Sequence, residues 1–362
     1  VRSGRGLPGQ RRARLKKLVE VKMRIGTLNV GSMTGRGREV ADLMRRRKIQ
    51  ILCVQETRWT GNKARILGDG YKLIYSGADS RGRNGVGIVL DSELQNKLTY
   101  VNRRSDRLMS VKIQLEDMEL NIVSAYAPQT GCDDEEKDAF WRDLELEVSS
   151  IPSEERVFIG GDLNGHIGKG NTEVTDRVRG IWGVGTMNDD GERIMDYSLA
   201  ADLAILNTFF QKKERHLITY KSGNRTSQID FVLCRRQHLR EIRNCKIIEG
   251  EAVTPQHRVL VVDSIFNIQK SNQIKITKPK TKWWKLKDPF MKAEFRTQVI
   301  EKVKEDKEID IWKKCSRIIR ECGETVLGKT SGKSPPKDKE TWWWNDDVKS
   351  VIKRKKDMKK KW

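Results

Sequence analysis

The sequence predicts an α/β fold in which two packed β-sheets are flanked by helices, with a basic, partly helical extension behind it. Three observations carry that expectation: eleven short apolar runs between residues 22 and 266, a few amphipathic helical stretches among them, and a very uneven distribution of charge. Strand-sized runs that outnumber helices need a second sheet to bury their apolar faces.

In chain order the strand runs are MRIGTLNV, IQILCVQET, YKLIYSG, NGVGIVL, LMSVKIQLE, ELNIVSAYAP, RVFIGGDLN, LAILNTFF, LITYKS, SQIDFVLC and HRVLVVD. They are β-branched or alternating, and Gly, Asn, Asp or Pro bounds many of them. Helices are expected at REVADLMRRRK, where Val40, Leu43 and Met44 share a face, at EEKDAFWRDLELEVSSI and at GERIMDYSLAADL. No internal repeat is visible.

The net charge of +22 sits at the ends. Residues 1–20 carry seven Lys/Arg against one acid, residues 267–362 carry 28 against 14, and residues 21–266 carry 37 against 35. A near-neutral folded domain over 22–266 is therefore expected, between a basic arm over 1–21 and a basic extension over 267–362 that suit a polyanion such as nucleic acid. In the extension, QKSNQIKITKPKTKWWKLKDP and KTSGKSPPKDKE read as linkers. AEFRTQVIEKVKED and IDIWKKCSRIIRECGETVLG read as amphipathic helices, with stripes Phe295/Val299/Val303 and Trp312/Cys315/Ile319. TWWWNDDVKSVIKRKKDMKKKW reads as a basic helix that stops in mid-pattern, and the chain opens on Val1. Both features point to a piece of a longer protein.

No run of eighteen apolar residues appears, and the first residues lack the apolar core of a secretory signal. Six cysteines, at 53, 132, 234, 245, 315 and 322, form no CxxC pair. Reduced thiols in an intracellular protein, with neither a zinc site nor a disulfide framework, are expected.

Several apolar runs end or begin on a polar residue: Asn29, Glu56, Tyr126, Asp162 with Asn164, Asp230 and His257. A lone Asn or Asp there is usually a turn former, but the set matches phosphodiester hydrolysis, which needs a hard cation, a positioned water and donors for phosphate oxygens. Glu56 offers a carboxylate and Asn29 a neutral oxygen to the cation. Asp162 and Asn164, two residues apart in extended chain, can face one cavity and handle a water. Gly160 and Gly161 permit a backbone path close to a ligand. His257 can stabilise phosphate charge while Asp230 fixes its tautomer.

The blocks TLNV, QETRW, AYAP, GDLN, QIDFVL and QHRVLV, in that order over residues 22–266, resemble the endonuclease/exonuclease/phosphatase family. The stretch from Gly26 to Gly61 also resembles the endonuclease region of RTE/BovB-type non-LTR retrotransposon polyproteins and craniofacial development protein 2-like proteins. TWWWNDDV and the basic run after it resemble the connector toward a reverse transcriptase, which is itself not in this sequence. The resemblance implies a four-layer α/β sandwich of mixed sheets and a divalent ion, Mg²⁺ or alternatively Mn²⁺, at Asn29 and Glu56. It further implies a phosphate contact from Tyr126, water activation by Asp162 with Asn164 orienting, and an Asp230–His257 pair. Two departures stand out: Gly31 where the family commonly has an acid, and Gln256 where it commonly has Asp before the histidine.

The expected activity is a Mg²⁺-dependent DNA endonuclease that leaves a 3′-hydroxyl, with DNA and the element's own RNA as partners, no membrane, and a nuclear (also cytoplasmic) location. The alternative is a domesticated chromatin- or DNA-binding protein of weak catalysis, favoured by Gly31 and Gln256. A phosphoinositide or sphingolipid substrate is a third reading, without a visible apolar loop to support it. Arg58, Arg81, Arg83 and Arg225 are candidate phosphate contacts on loops. Trp59 and Trp182 suit base stacking or the core equally, and His166 suits a surface loop at the substrate edge. Trp342 to Trp344 suit packing against a further domain. KRKKDMKKK suits nuclear targeting or non-specific DNA binding.

Overall fold

The computed structural model describes residues 17–251, 253–270, 280–306 and 310–330. The expected basic arm up to residue 16, residues 271–279 of the first linker, nearly all of the second and the final basic helix lie outside the described residues. The chain divides into two units, 1–271 and 272–362.

In the first unit β1 (Lys17–Asn29) leads through α1 (Gly37–Arg47) to β2 (Ile51–Gln55), followed by β3 (Lys63–Gly68), β4 (Tyr71–Ser76) and β5 (Val86–Leu90). A one-turn α2 (Ser92–Gln95) precedes β6 (Leu98–Arg103), β7 (Leu108–Leu115) and β8 (Met118–Tyr126). Then come α3 (Asp134–Ser149), β9 (Arg156–Asp162), α4 (Asp189–Ala200) and β10 (Leu203–Ile205). A hairpin of β11 (Tyr220–Ser222) and β12 (Arg225–Ser227) precedes β13 (Asp230–Arg235), β14 (Ile242–Ile247) and β15 (Leu260–Lys270).

The strands form a seven-stranded sheet, β14-β15-β1-β2-β5-β4-β3, and a six-stranded sheet, β10-β13-β9-β8-β7-β6. Each holds one parallel pair, β1 with β2 and β8 with β9. Parallel neighbours need a crossover, and α1 and α3 supply the two. The sheets meet through Ile25, Ile51, Cys53, Ile88, Val111, Ile122, Phe158 and Phe266. On the outer face of the first sheet α1 buries Val40, Leu43 and Met44 against Leu52, Val54 and Val89. On the outer face of the second, Phe140 and Leu144 of α3 and Ile194 and Met195 of α4 cover Val123, Ile159 and Leu233. Central strands such as β2 and β5 are buried throughout, which is why they read as continuous apolar runs. The architecture is thus a four-layer α/β sandwich of mixed sheets, as expected.

The elements differ from the reading of the sequence in several places, first in that β3, β6, β12 and β14 are additional to the eleven runs. β1 and β15 pair from Lys17↔Lys270 to Thr27↔Leu260, so they run past the expected limits at 22 and 266. LAILNTFF keeps only three strand residues, because the Asn207 side chain turns inward to bond Asp230 O and Val232 N at 2.9 and 3.1 Å. Part of the expected first linker is ordered: Thr281 bridges Lys329, and a 3₁₀ turn covers Trp283–Lys287. In the second unit, α5 (Pro289–Glu305) and α6 (Ile311–Cys322) form as expected. The buried stripe of α6 is Ile318 and Cys322, however, while Trp312 and Ile319 are exposed. No helix among the described residues is long and apolar enough to cross a membrane.

Candidate active site

Strand direction alone gathers the predicted residues at one rim of the sandwich. In the first sheet Asn29 ends β1 and Glu56 lies just past β2, while the antiparallel β15 begins three residues after His257, at the same end. In the second sheet Tyr126 ends β8, Asp162 ends β9, and Asp230 begins the antiparallel β13. Cα pairing puts Tyr126, Asp162 and Asp230 in one row. Beneath them Gln55 joins the sheets, donating to Ser124 Oγ at 3.2 Å and accepting from Thr27 Oγ1 at 3.2 Å.

The two triplets interlock. Asn29 Nδ2 donates to Glu56 Oε1 at 2.9 Å and to Asp162 Oδ2 at 3.0 Å, and its oxygen accepts the Gly31 amide at 2.9 Å. In this arrangement Asn29 presents its nitrogen to the carboxylates, whereas the sequence suggested its oxygen as the group facing a cation. The Tyr126 hydroxyl donates to Glu56 Oε1 at 3.0 Å. His257 Nδ1 meets Asp230 Oδ2 at 3.0 Å, and its Nε2 stands 3.7 Å from Asp162 Oδ2. Asn164 donates through Nδ2 to Ala127 O at 2.9 Å, and its amide bonds Asp162 Oδ1 at 3.2 Å. Glu56, Arg58 and Asn164 all have left-handed backbone, with φ of 54°, 53° and 50°. Such conformations cost non-glycine residues free energy and gather at functional sites.

The charges are set by burial and neighbours. For Asp162, burial first and the Asp230 charge second push the carboxyl up to about 7, against the pull of His257, Asn29 and Asn164. For His257, burial opposes the charge, but Asp230, then Asp162 and Glu56, outweigh it and raise the imidazole to about 9. Burial also works against the Glu56 charge, yet bonds from Asn29, Arg58 and Tyr126 hold its carboxyl below the usual range. Tyr126 is pushed up by burial and by the Glu56 and Asp162 charges, so it remains a hydrogen-bond donor. At neutral pH the rim carries a protonated imidazole beside a carboxyl poised to exchange a proton.

Several supports had no signal in the sequence. Thr219 Oγ1 accepts the amides of Ile229 and Asp230, both at 3.0 Å, and Asn207 holds Asp230 O. Thr254 Oγ1 and the His257 backbone bond reciprocally at 3.0 and 2.8 Å, and Tyr220 packs on the imidazole at 4.8 Å. Arg107 lies 5.2 Å over the Tyr126 ring and pairs with Glu136 at 2.6 Å. These are single Thr, Asn, Tyr and Arg residues, indistinguishable in sequence from ordinary turn, strand and surface positions.

The loop arginines are placed unequally. Arg58 reaches the site and pairs with Glu56 Oε2 at 2.6 Å. Arg83 pairs with Asp79 at 3.0 Å, and Arg81 is in the same turn, which is tied to the site by the Arg58 amide on Asn84 O at 3.0 Å. Arg225 starts β12 on the hairpin whose Tyr220 bridges His257. Gly160 and Gly161 face neighbouring strands and leave no room for a ligand there. A Cβ on them would lie 3.1 Å from Cys53 Sγ and 2.2 Å from Ala125 O. Trp59 packs on Tyr75, with Arg65 over its ring. Gly31 takes φ +62°, with Arg36 Nη1 3.6 Å from where its Cβ would stand. Gln256 is exposed and its amide points to Ser222 Oγ at 3.4 Å.

The residues fit a hard divalent cation. Glu56 and Asp162 present oxygen donors within reach of one amide, and Asp162 is a buried carboxylate beside a second one, an arrangement that added positive charge would relieve. Asp162, Asp230 and His257 also bring ligand atoms within 4.8 Å, but the Asp230–His257 pair is already committed to holding a proton.

The sequence pattern of the endonuclease/exonuclease/phosphatase family matches residues 26–251, and the chain belongs to that family. Craniofacial development protein 2 of Bos taurus is 31% identical over 240 residues, 66% of this chain and 40% of that protein. The chain therefore spans about two fifths of that relative's length. The endonuclease domain of TRAS1, a telomere-specific non-LTR retrotransposon, superposes with a TM-score of 0.52 at 18% identity, covering 69% of this chain and 100% of that one. An AP endonuclease from Archaeoglobus fulgidus gives 0.50 at 18% identity, covering 66% and 98%. These likenesses show the sandwich fold that the six sequence blocks implied.

Proposed function

We propose that this protein is a divalent-metal-dependent DNA endonuclease that leaves a 3′-hydroxyl, the target-nicking part of a non-LTR retrotransposon-derived protein. The observation that carries the reading is His257 held between two buried aspartates, within one rim that also holds Glu56, Asn29 and Tyr126. The family, the TRAS1 domain and the AP endonuclease support DNA as the substrate.

Glu56 would hold Mg²⁺ or Mn²⁺, with Asn29 aiming its carboxylate through Nδ2, and the ion would supply positive charge for the phosphate when bound. Asp162, with a carboxyl near 7, accepts the proton of the attacking water, which Asn164 orients. The new P–O bond forms as the bond to the 3′ oxygen breaks, and that oxygen takes a proton from solvent water to leave as the hydroxyl, with the phosphate remaining on the 5′ side. Protonated His257 and the Tyr126 hydroxyl donate to the phosphate oxygens, and buried Asp230 keeps the imidazole charged and aimed. Arg58, and beyond it Arg81, Arg83 and Arg225, stand where flanking phosphates would pass. The basic run KRKKDMKKK supports a nuclear location.

Nicking of supercoiled plasmid with Mg²⁺ or EDTA tests this, comparing the parent with His257→Ala and Gln256→Asp. Nicking by the parent that EDTA stops and His257→Ala abolishes supports the reading. Nicking by Gln256→Asp alone overturns it in favour of a DNA-binding protein with lost catalysis, the reading that Gly31 and Gln256 favour.

A further inference from the structure

The second unit carries an aromatic groove that its own fold does not use. Its small interior is Ile318, Cys322 and Leu327, with Trp283 packed over Gly323 and edge-on to Phe295 at 6.0 Å. Trp284 and Trp312 stay outside, 58% and 81% exposed. Together with Trp283, Ile319, Cys315 and Arg320 they line a groove of about 820 Å³.

The charge around it is uncompensated. Among the described residues, Lys280, Lys282, Lys285, Lys287 and Arg320 make no ion pair, whereas Glu324 is taken by Lys329 at 2.8 Å and Asp288 and Asp310 cap α5 and α6. Residues 280–330 carry 14 Lys/Arg against nine acids. A tryptophan face that is wet and lined by Lys280 and Arg320, with Lys282 and Lys285 beside Trp283 and Trp284 in the sequence, suits an anion with exposed π-faces. Single-stranded nucleic acid is that ligand, since its bases stack on aromatics while its phosphates meet lysines. Duplex hides its base faces, and a second copy of this chain would bring the same positive charge to the contact.

We propose that this groove binds single-stranded nucleic acid, with bases on Trp284 and Trp312 and phosphates on Lys280, Lys282, Lys285 and Arg320. The site is independent of the catalytic reading, because binding is measured in EDTA.

The test is fluorescence anisotropy of the full chain with short labelled oligo(dT) and oligo(U), the two arms distinguishing DNA from RNA. Trp284→Ala/Trp312→Ala should weaken the better-bound strand by about 30-fold at an unchanged salt slope, since stacking carries no counterion release. Lys282→Ala/Lys285→Ala should lower the salt slope by about 1.4, roughly 0.7 per phosphate contact. Saturating oligonucleotide should slow alkylation of Cys315, which lines the groove. Both tryptophans are exposed, so the melting temperature of the variant should match the parent's and separate lost binding from lost folding. Equal strand affinity of parent and double-tryptophan variant, or equal competition by duplex, would overturn the proposal. So would a parent dimer in sedimentation that Trp312→Ala dissociates, because the groove would then be a contact between copies.

Discussion

On the second sheet Tyr126, Asp162 and Asp230 stand inside their strands, in one cross-strand row, 3%, 2% and 0% exposed. On the first sheet only Asn29 does so; Glu56 sits past the end of β2 with φ +54°, and His257 hangs on a loop fixed by Thr254. Both departures from the family pattern, Gly31 and Gln256, belong to the loop-borne half. Asp162 is held in register by a ladder on both sides, and Tyr126 and Asp230 pair directly with it, so none of the three can shift without disturbing the sheet, while a loop absorbs substitution locally. On the proposed reaction the sheet-borne half supplies the base for the water and the charge behind His257, while the loop-borne half, closer to solvent, supplies the cation's carboxylate and the imidazole.

If that division is right, the largest loss comes from the sheet-borne half. Asp230→Asn keeps the size of the side chain but removes the charge that holds His257 protonated. Initial nicking rates should fall by about 10³-fold or more, and a rate within tenfold of the parent would make the buried pair merely structural. Glu56→Gln attacks the other half. The Mg²⁺ concentration giving half-maximal nicking should rise by about 10- to 100-fold, and an unchanged metal titration would move the cation away from Glu56.

Arg107→Ala tests how the halves are coupled, because Arg107 packs on Tyr126 and Tyr126 bonds Glu56. Loss of a contact of this kind, about 1 kcal/mol, should lower kcat by roughly fivefold to tenfold with KM little changed. Arg107→Lys should restore part of it; a change in KM alone would make Arg107 a substrate contact.

The pH dependence separates the two proton carriers. On the proposed reaction nicking should fall at low pH as Asp162 takes up a proton and at high pH as His257 loses one, and a bound cation, by relieving Asp162, should move the acid limb below about 7. Going from pH 8 to 6.5 should then cost about fourfold at most. Linkage gives a second readout in EDTA. His257 is raised in the folded state, so its contribution to stability is full below 6.5 and is lost as pH rises through about 9. Asp162 is also raised, so the folded state holds its proton more tightly and that contribution is lost through about 7. Both signs agree: the melting temperature in EDTA should fall from pH 6 to 9, and an increase would contradict the buried pairing.

The same contrast between central and peripheral positions governs what is legible in the sequence. The central strands β2, β5, β8, β9 and β13, and the ends of β1 and β15 nearest the site, are buried on both faces and stand out as runs, along with the polar residues at their ends. Of the strands that do not stand out, β12 is half of a two-stranded hairpin and β3, β6 and β14 are edges of the two large sheets, where KARILG, LTYVNR and IRNCKI carry the polar and basic residues that keep edges from pairing further. The site residues are legible because chemistry demands their types. Thr219, Asn207 and Thr254 are not, because holding a backbone in place can be done by any small hydrogen-bonding residue. The exposure of Trp312 is hidden for the converse reason: helical spacing places it on a stripe but does not say whether anything covers it.

The smallest expected effect is the sharpest test of the loop-borne half. Gly31→Asp restores an acid where the family commonly has one. The backbone there has φ +62°, so a non-glycine residue costs about 1–2 kcal/mol, or roughly 2–8 °C of melting temperature in a domain of this size. Arg36 Nη1, 3.6 Å from where the new Cβ would stand, offers the carboxylate a partner. Two outcomes then diverge. If the carboxylate faces the cation, half-maximal Mg²⁺ should fall about twofold to threefold despite the lower melting temperature. If Arg36 captures it, stability should fall less and the metal titration should stay put. Arg36→Gln in the same background separates the two, because freeing the carboxylate should then shift the titration. A Gly31→Asp protein whose metal response is unmoved with or without Arg36 would show that the loop cannot be rebuilt one residue at a time, and that the first sheet's half of the rim is as fixed as the second's.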